Sequence, residues 1–179
     1  VLLDHDDELA PEALAEVVLH QARQPGVALW YSDEDKIDEE GQRFSPYFKP
    51  DFLPELLTGQ NFLMHLSAYR TDLVRAAGGF RVGYEGSQDW DLALRLVERV
   101  APDQVGHIPQ VLYHWRAIRG STALAIGEKD YTVAAAQRAL QDHFQRRGLA
   151  VTLQPVPGYH WRVVYPLPER RPLVSLIIP

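Results

Sequence analysis

The chain has 179 residues, 46% of them hydrophobic and 23% charged, with 12 Gly and 13 Pro. That places it at the upper end of one globular domain and excludes disordered, collagen-like and low-complexity chains. With no cysteine, disulfides, zinc ribbons, iron–sulfur clusters and thiol catalysis are excluded too. The net charge of −6 is uneven: residues 1–40 hold 12 of the 24 acids against Arg23 and Lys36, a local −10, and the other 139 residues carry +4. A basic surface for nucleic acid is absent.

The chain opens Val1-Leu2-Leu3, with no initiator Met and no basic and apolar regions of a signal peptide, and reads as part of something longer. No apolar run approaches the roughly 18–20 residues of a membrane span. Residues Pro11 to Gln24 predict a helix with apolar side chains at Leu14, Val17, Val18 and Ala22, Pro11 in its first turn and Gly26 beyond its end. Val27 to Tyr31 reads as a buried strand, Ser32 to Gly41 as an acidic turn, and the aromatic, proline-containing stretch Phe44 to Asp51 cannot be a regular helix.

Short helices are expected over Leu53 to Leu57 and Asp72 to Ala77, the second stopped by Gly78-Gly79, with a strand between them over Asn61 to Leu66. Asp89 to Val100 predicts an amphipathic helix built on Leu92, Leu96 and Val97. His107 to Trp115 reads as a strand interrupted at Pro109, and Glu128 to Arg147 as the longest helix, closed by Gly148. Val151 to Leu153 and His160 to Tyr165 are expected late strands. Pro166 to Pro172 reads as an extended linker, and Leu173 to Pro179 as a buried parallel strand opening another domain. Strands alternating with helices point to an α/β fold with a mixed sheet and flanking helices.

Two clusters carry chemistry. An apolar strand at Val1 to Leu3 would deliver Asp4, Asp6 and Asp7 at its C-terminal end, the edge where open α/β sheets bind ligands. In an extended segment Asp4 and Asp6 face one side and suit a hard cation, Mg²⁺ or Mn²⁺; alternatively Asp7 and Glu8 serve the N-terminal dipole of the following helix. Gly86-Ser87-Gln88-Asp89-Trp90-Asp91 places two acids at the start of the amphipathic helix, where Asp89 is either an N-cap or a functional carboxylate.

An apolar strand followed by Asp-x-Asp occurs in haloacid-dehalogenase-like phosphatases, but the continuation Asp7-Glu8-Leu9 fits their pattern poorly. "LLDHDDEL" instead resembles the Asp-x-Asp motif of family 2 glycosyltransferases of the GT-A fold, which use nucleotide sugars. Gln88-Asp89 is similar to that family's Glu-Asp motif, with Gln88 replacing the usual Glu and Asp89 at the general-base position. Ile108 to Arg116, followed by Gly120 to Ala123, is similar to the strand and loop that close over the sugar diphosphate. Tyr31 to Lys36, Phe48 to Asp51, Gln60-Asn61-Phe62 and "PLVSLIIP" extend the likeness to the multi-domain transferases of bacterial surface polysaccharides such as O-antigen.

The resemblance implies an inverting, metal-dependent transfer from a nucleotide-sugar donor to a glycan or lipid-linked glycan acceptor. It assigns Asp89 as base, Asp4, Asp6 and Asp7 as ligands of Mn²⁺ or Mg²⁺, Trp115 and Arg116 to the donor diphosphate, and Gln88, Trp90 and Asp91 to the acceptor side. Ile118 stands where many relatives carry a metal-binding His, which leaves His114 as the nearest substitute; a His between Tyr113 and Trp115 also reads as a packed core residue. Residues 1–165 are then expected to be the C-terminal part of a GT-A domain whose nucleotide-binding half lies upstream, 166–172 a linker, and 173–179 the first strand of a neighbouring transferase domain. On that expectation the chain alone does not catalyse transfer. The setting implied is the cytoplasm, with room for peripheral association at the inner face of the plasma membrane. The competing class is a non-catalytic, transferase-like binding or scaffolding module with exposed sheet edges.

Overall fold

The computed structural model describes residues 1–117 and 130–177. A strand through the middle of the acidic N-terminal region organises it. β2 (Leu29–Ile37) continues straight through the residues expected to form a turn, and the turn itself is confined to Asp38 to Gly41. The reason is pairing of its charges: Asp33 meets His107, Glu34 meets Lys49, and Asp35 meets Arg43 and His114. Buried carboxylates are tolerated in a central strand when each has such a partner.

The main sheet is mixed. β2 runs parallel to β5 (Val105–Arg116), and β5 pairs antiparallel with the short β1 (Glu8–Leu9). The other edge of β2 is shared. β4 (Ser67–Tyr69) lies beside Leu29 to Tyr31, and β3 (Arg43–Tyr47) beside Glu34 to Ile37. Between them the Ser32 N–H donates to the Leu66 carbonyl at 3.2 Å, and the Lys49 N–H donates to Asp33 Oδ1 at 2.9 Å. This split edge brings residues 49 and 65 against β2. The β2–β5 register shifts at Pro109 within a continuous β5, since proline supplies no ladder donor.

Helices cover both sheet faces. α1 (Ala13–Arg23) packs on one side with Trp30, Leu66, Ile108, Leu112 and Tyr113. Its buried residue is Ala13, whereas Leu14 and Val18 of the expected stripe are exposed. On the other side lie α2 (Pro54–Gly59), α3 (Thr71–Ala76), α4 (Gln88–Val97) and α5 (Asp130–Arg146). α4 is held between the sheet and α5, so Trp90 through Leu96 are all buried. Each fully buried leucine there contributes about 1.5–3 kcal/mol. Gly106 allows β5 to approach the Trp30 ring: a Cβ at that position would lie 2.3 Å from Cζ3.

The expected strand over Asn61 to Leu66 is absent, and regular pairing begins only at Ser67. Val1 to Leu3 forms a single bridge, Leu2 to Ser67, rather than a strand. β6 (Thr152–Val156) and β7 (His160–Val164) form a separate two-stranded sheet, with β7 packed on α2. Leu173, Val174, Leu176 and Ile177 are exposed and carry no regular secondary structure. Residues 128–129, the Gly120 to Ala123 loop, Ile118 and the last two residues of the closing run lie outside the described residues. Among the described residues no helix is long and apolar enough to cross a membrane.

Candidate functional site

Strand alternation sorts the acidic residues. Successive side chains point to opposite faces, so Glu34 and Lys36 of β2 share a side with Tyr113 and Trp115 of β5. Lys36 Nζ sits 5.3 Å from the Trp115 ring centre. His114 is turned the other way, its Nδ1 2.5 Å from Asp35 Oδ1, and Arg43 Nε donates to the second Asp35 oxygen at 2.6 Å. His114, expected as the nearest substitute for a metal-binding His, is thus buried beside Asp35.

His65 joins the two halves of the site. Its ring stacks on Tyr113 with centroids 4.6 Å apart and lies 5.8 Å from Trp115. Its backbone N–H donates to Glu34 Oε2, and its Nδ1 lies 3.4 Å from the same oxygen. Lys49 Nζ donates to the His65 carbonyl at 2.5 Å and stands 3.5 Å from Glu34 Oε2. Burial pulls Lys49 down to about 8 despite the Glu34 carboxylate. Burial also opposes charge on Glu34 and His65, but their mutual attraction outweighs it; Lys49 helps to hold Glu34 low, and His65 stays high although Lys49 opposes it.

Asp89 enters from the first turn of α4. It is half-buried, and Asn61 Nδ2 donates to its Oδ2 at 2.8 Å. Burial pushes its carboxyl up; His65 and the amides at the helix start oppose this, and Asp4 adds to it. The start of α4 is tied to α5 by the Ser87 hydroxyl, which donates to the Thr132 carbonyl at 3.0 Å. Gln88 is exposed and accepts from the Gly86 N–H at 2.6 Å.

The expected acceptor-side residues Trp90 and Asp91 are placed elsewhere. Trp90 is in the core and donates from Nε1 to the Leu57 carbonyl at 2.9 Å. Asp91 is fully buried between Arg81 and Arg95. One helical position carries each residue about 100° around the axis, so Asp89 faces the site while the next two residues face the core and α5.

In the acidic segment, Asp7 is committed to structure. Its Oδ2 accepts from Tyr113 at 2.5 Å and its Oδ1 from the Arg116 N–H at 2.8 Å. Burial raises the Asp7 carboxyl, these bonds and His65 counter it, and neighbouring Asp6 adds to the rise. Arg116 Nε donates to the Asp6 carbonyl at 2.7 Å, Nη1 to the Asp38 carbonyl at 3.3 Å, and Nη2 to Glu8. Arg116 thus straps the acidic segment to the end of β5. Asp4 is exposed, and Asp6 contacts exposed His5 at 3.6 Å.

Among the described residues no group of three or more His, Asp or Glu is arranged to hold a metal ion. Carboxylates such as those of Asp4 and Asp6 are hard oxygen donors, and Mg²⁺ takes one or two such groups with substrate phosphate oxygens and water completing its shell. Two grooves, one between α5 and β6 and one between α1 and β4, do not include Asp89.

No protein-family model matches the chain. It is 46% identical over 181 residues to the uncharacterized protein y4gI of Sinorhizobium fredii (strain NBRC 101917 / NGR234), covering 99% of the chain and 20% of that protein. It is 39% identical over 177 residues to the O-antigen biosynthesis protein RfbC of Myxococcus xanthus, covering 99% of the chain and 14% of that protein. The chain therefore spans a fifth or less of each of these relatives. Along nearly its whole length it is similar to a part of an O-antigen biosynthesis protein.

Proposed function

We propose that the protein to which this chain belongs is an inverting family 2 glycosyltransferase of surface-polysaccharide synthesis, moving a sugar from a nucleotide sugar to a glycan or lipid-linked glycan. The observation that carries the reading is that Asp4 and Asp89, distant in sequence, both come to the Tyr113–His65 pair: the Asp4 N–H donates to Tyr113 Oη at 3.3 Å, Tyr113 stacks on His65 with centroids 4.6 Å apart, and His65 favours the ionised Asp89 carboxylate. An inverting transfer needs a base on one face of the anomeric carbon and charge stabilisation at the departing diphosphate on the other. The similarity to an O-antigen biosynthesis protein supports the pathway.

Asp89 Oδ1 takes the proton of the acceptor hydroxyl while that oxygen bonds to the anomeric carbon. The bond from that carbon to the diphosphate breaks, and its electron pair leaves with the nucleotide. Asn61 holds Asp89 through Oδ2, and His65 favours the ionised carboxylate. Asp4 and Asp6 are the residues that would hold a Mn²⁺ or Mg²⁺ ion, which would supply Lewis-acid stabilisation of the diphosphate. Trp115, tilted against His65 with ring centroids 5.8 Å apart, walls the donor. In this reading residues 1–165 belong to one transferase domain, 166–172 are a linker, and 173–179 open a neighbouring transferase domain. The protein works in the cytoplasm, at the inner membrane face when its acceptor is lipid-linked.

The test is transfer by the full-length protein. Nucleotide sugars are supplied with Mn²⁺ or Mg²⁺, and nucleotide release is followed for wild type and Asp89→Asn. Loss of transfer with donor binding retained is expected. Transfer that survives Asp89→Asn puts the base elsewhere, and donor binding without transfer in the wild type favours the scaffolding class.

A further inference from the structure

Three buried side-chain polar atoms lack a hydrogen-bond partner among the described residues: Asn61 Oδ1, His65 Nδ1 and Tyr69 Oη. Such atoms are rare in native structures, and each calls for an explanation such as strain, a catalytic role, or a water or ion that completes the bonding. His65 Nδ1 faces Glu34 Oε2 at 3.4 Å, and Tyr69 stands on β4 against the core. Asn61 Oδ1 is the orphan beside Asp89, and the residue is partly exposed.

The Asn61 amide is committed on one side only. Its Nδ2 donates to Asp89 Oδ2 at 2.8 Å. That bond sets the amide orientation, because an Asn oxygen cannot donate to a carboxylate. Two oxygens on joined side chains then remain to accept protons: Asp89 Oδ1 and Asn61 Oδ1. We propose that Asn61 is a specificity-determining residue that accepts a hydrogen bond from a hydroxyl next to the attacking one, so that the Asp89–Asn61 pair reads two adjacent hydroxyls of the acceptor sugar. The proposal rests on the transferase reading for the use made of that sugar, while its binding test is independent of transfer. A site built to bond a hydroxyl discriminates against a sugar lacking it, because its own oxygen is left unpaired. His65 is engaged electrostatically by Glu34 and Asp89, so the neutral amide is the partner suited to a neutral hydroxyl.

The experiment is ligand-observed saturation-transfer NMR on the full-length protein. The probes are the methyl glycopyranosides of glucose, galactose and mannose and their monodeoxy counterparts. Wild type is expected to bind at least one parent glycoside about tenfold better than one of its monodeoxy forms, the value of one hydrogen bond. Asn61→Ala is expected to bind both forms alike, at the weaker level, with an unchanged melting temperature checking the fold. In transfer assays the same variant raises acceptor KM about tenfold and leaves donor KM in place. Wild-type discrimination retained in Asn61→Ala, parent and deoxy forms bound equally by wild type, or no glycoside bound at all each overturns the proposal. Glycoside discrimination in a protein that transfers nothing retires the transferase reading and leaves the subsite. Asp89-dependent transfer with acceptor KM unmoved by Asn61→Ala retires the subsite alone.

Discussion

Replacing Asp91 with Ala tests whether this residue serves the core or the acceptor. Its side chain is fully buried, and its Oδ2 accepts from Arg81 Nε at 3.1 Å and from Arg95 Nε and Nη2 at 2.9 and 2.8 Å. The other oxygen accepts from Arg81 Nη2. Without Asp91 the Arg95 guanidinium, 8% exposed, keeps only the carbonyls of Ala77 and Gly79, each at 2.7 Å. Stranding one partner of a buried ion pair costs about 3–5 kcal/mol. Arg81 moderates the loss, since it is 34% exposed and retains Asp142 at 2.9 Å, so the lower end, about 3 kcal/mol, is expected. At about 2–4 °C per kcal/mol for a chain of this size, the melting temperature falls by about 6–12 °C. Urea unfolding and a thermal scan measure both quantities. The double variant Asp91→Leu, Arg95→Met removes the buried charges together and should recover most of the stability. A loss under about 1 kcal/mol in Asp91→Ala, or a double variant no better than the single one, refutes the structural assignment. Asp91→Asn that stays fully stable yet loses transfer returns the residue to the acceptor side.

Other consequences are open to the same kind of measurement. A base must be ionised to act, and burial raises Asp89 with Asp4 adding to the rise and His65 opposing it; the acid limb of kcat/KM should lie above the ordinary carboxylate range and move higher in His65→Gln. A pH–rate profile of the full-length protein with an unmoved limb counts against the pairing. Burial raises Glu98, but His143 and Arg146 outweigh it and bring the carboxyl from 4.5 to about 2. A depressed carboxylate stabilises the fold above its unfolded value and loses that contribution as pH falls through 4.5 toward about 2. Partial solvent screening reduces it to about 1–2 kcal/mol, and Glu98→Gln should flatten urea stability across that window. Gly106→Ala sets a Cβ 2.3 Å from Trp30 Cζ3 and should cost about 1–3 kcal/mol; undiminished urea stability with native Trp fluorescence contradicts the packing.

Much of the architecture was legible in local pattern. Pro54 and Glu55 mark the start of α2, the acids at 89 and 91 and the spacing of Leu92 and Leu96 announce α4, and Gly148 follows the end of α5. Pro109, expected to interrupt the strand, instead marks a register shift against β2 within a continuous β5. These signals are local because helix and strand periods and proline's missing donor act within a few residues. The acidic strand was hidden for the opposite reason. Ser32 to Lys36 reads as a solvated turn until His107, Lys49, Arg43 and His114 arrive from distant segments to pair it.

The same division runs through the candidate site. The amino-acid sequence by itself determined that Asp4, Asp6 and Asp89 are carboxylates at the ends of apolar segments, and that no thiol chemistry is available. Nothing in its spacing singles out Glu34, Lys49 or His65, because their association depends on a sheet edge divided between β3 and β4. Only the tertiary structure decided that Asp89 faces Asn61 while Asp91 enters the core, and that Asp7 is bound by Tyr113 and Arg116. A side chain's chemistry belongs to its residue type, but its role depends on which partners share its low-dielectric surroundings, and chain topology brings those partners together.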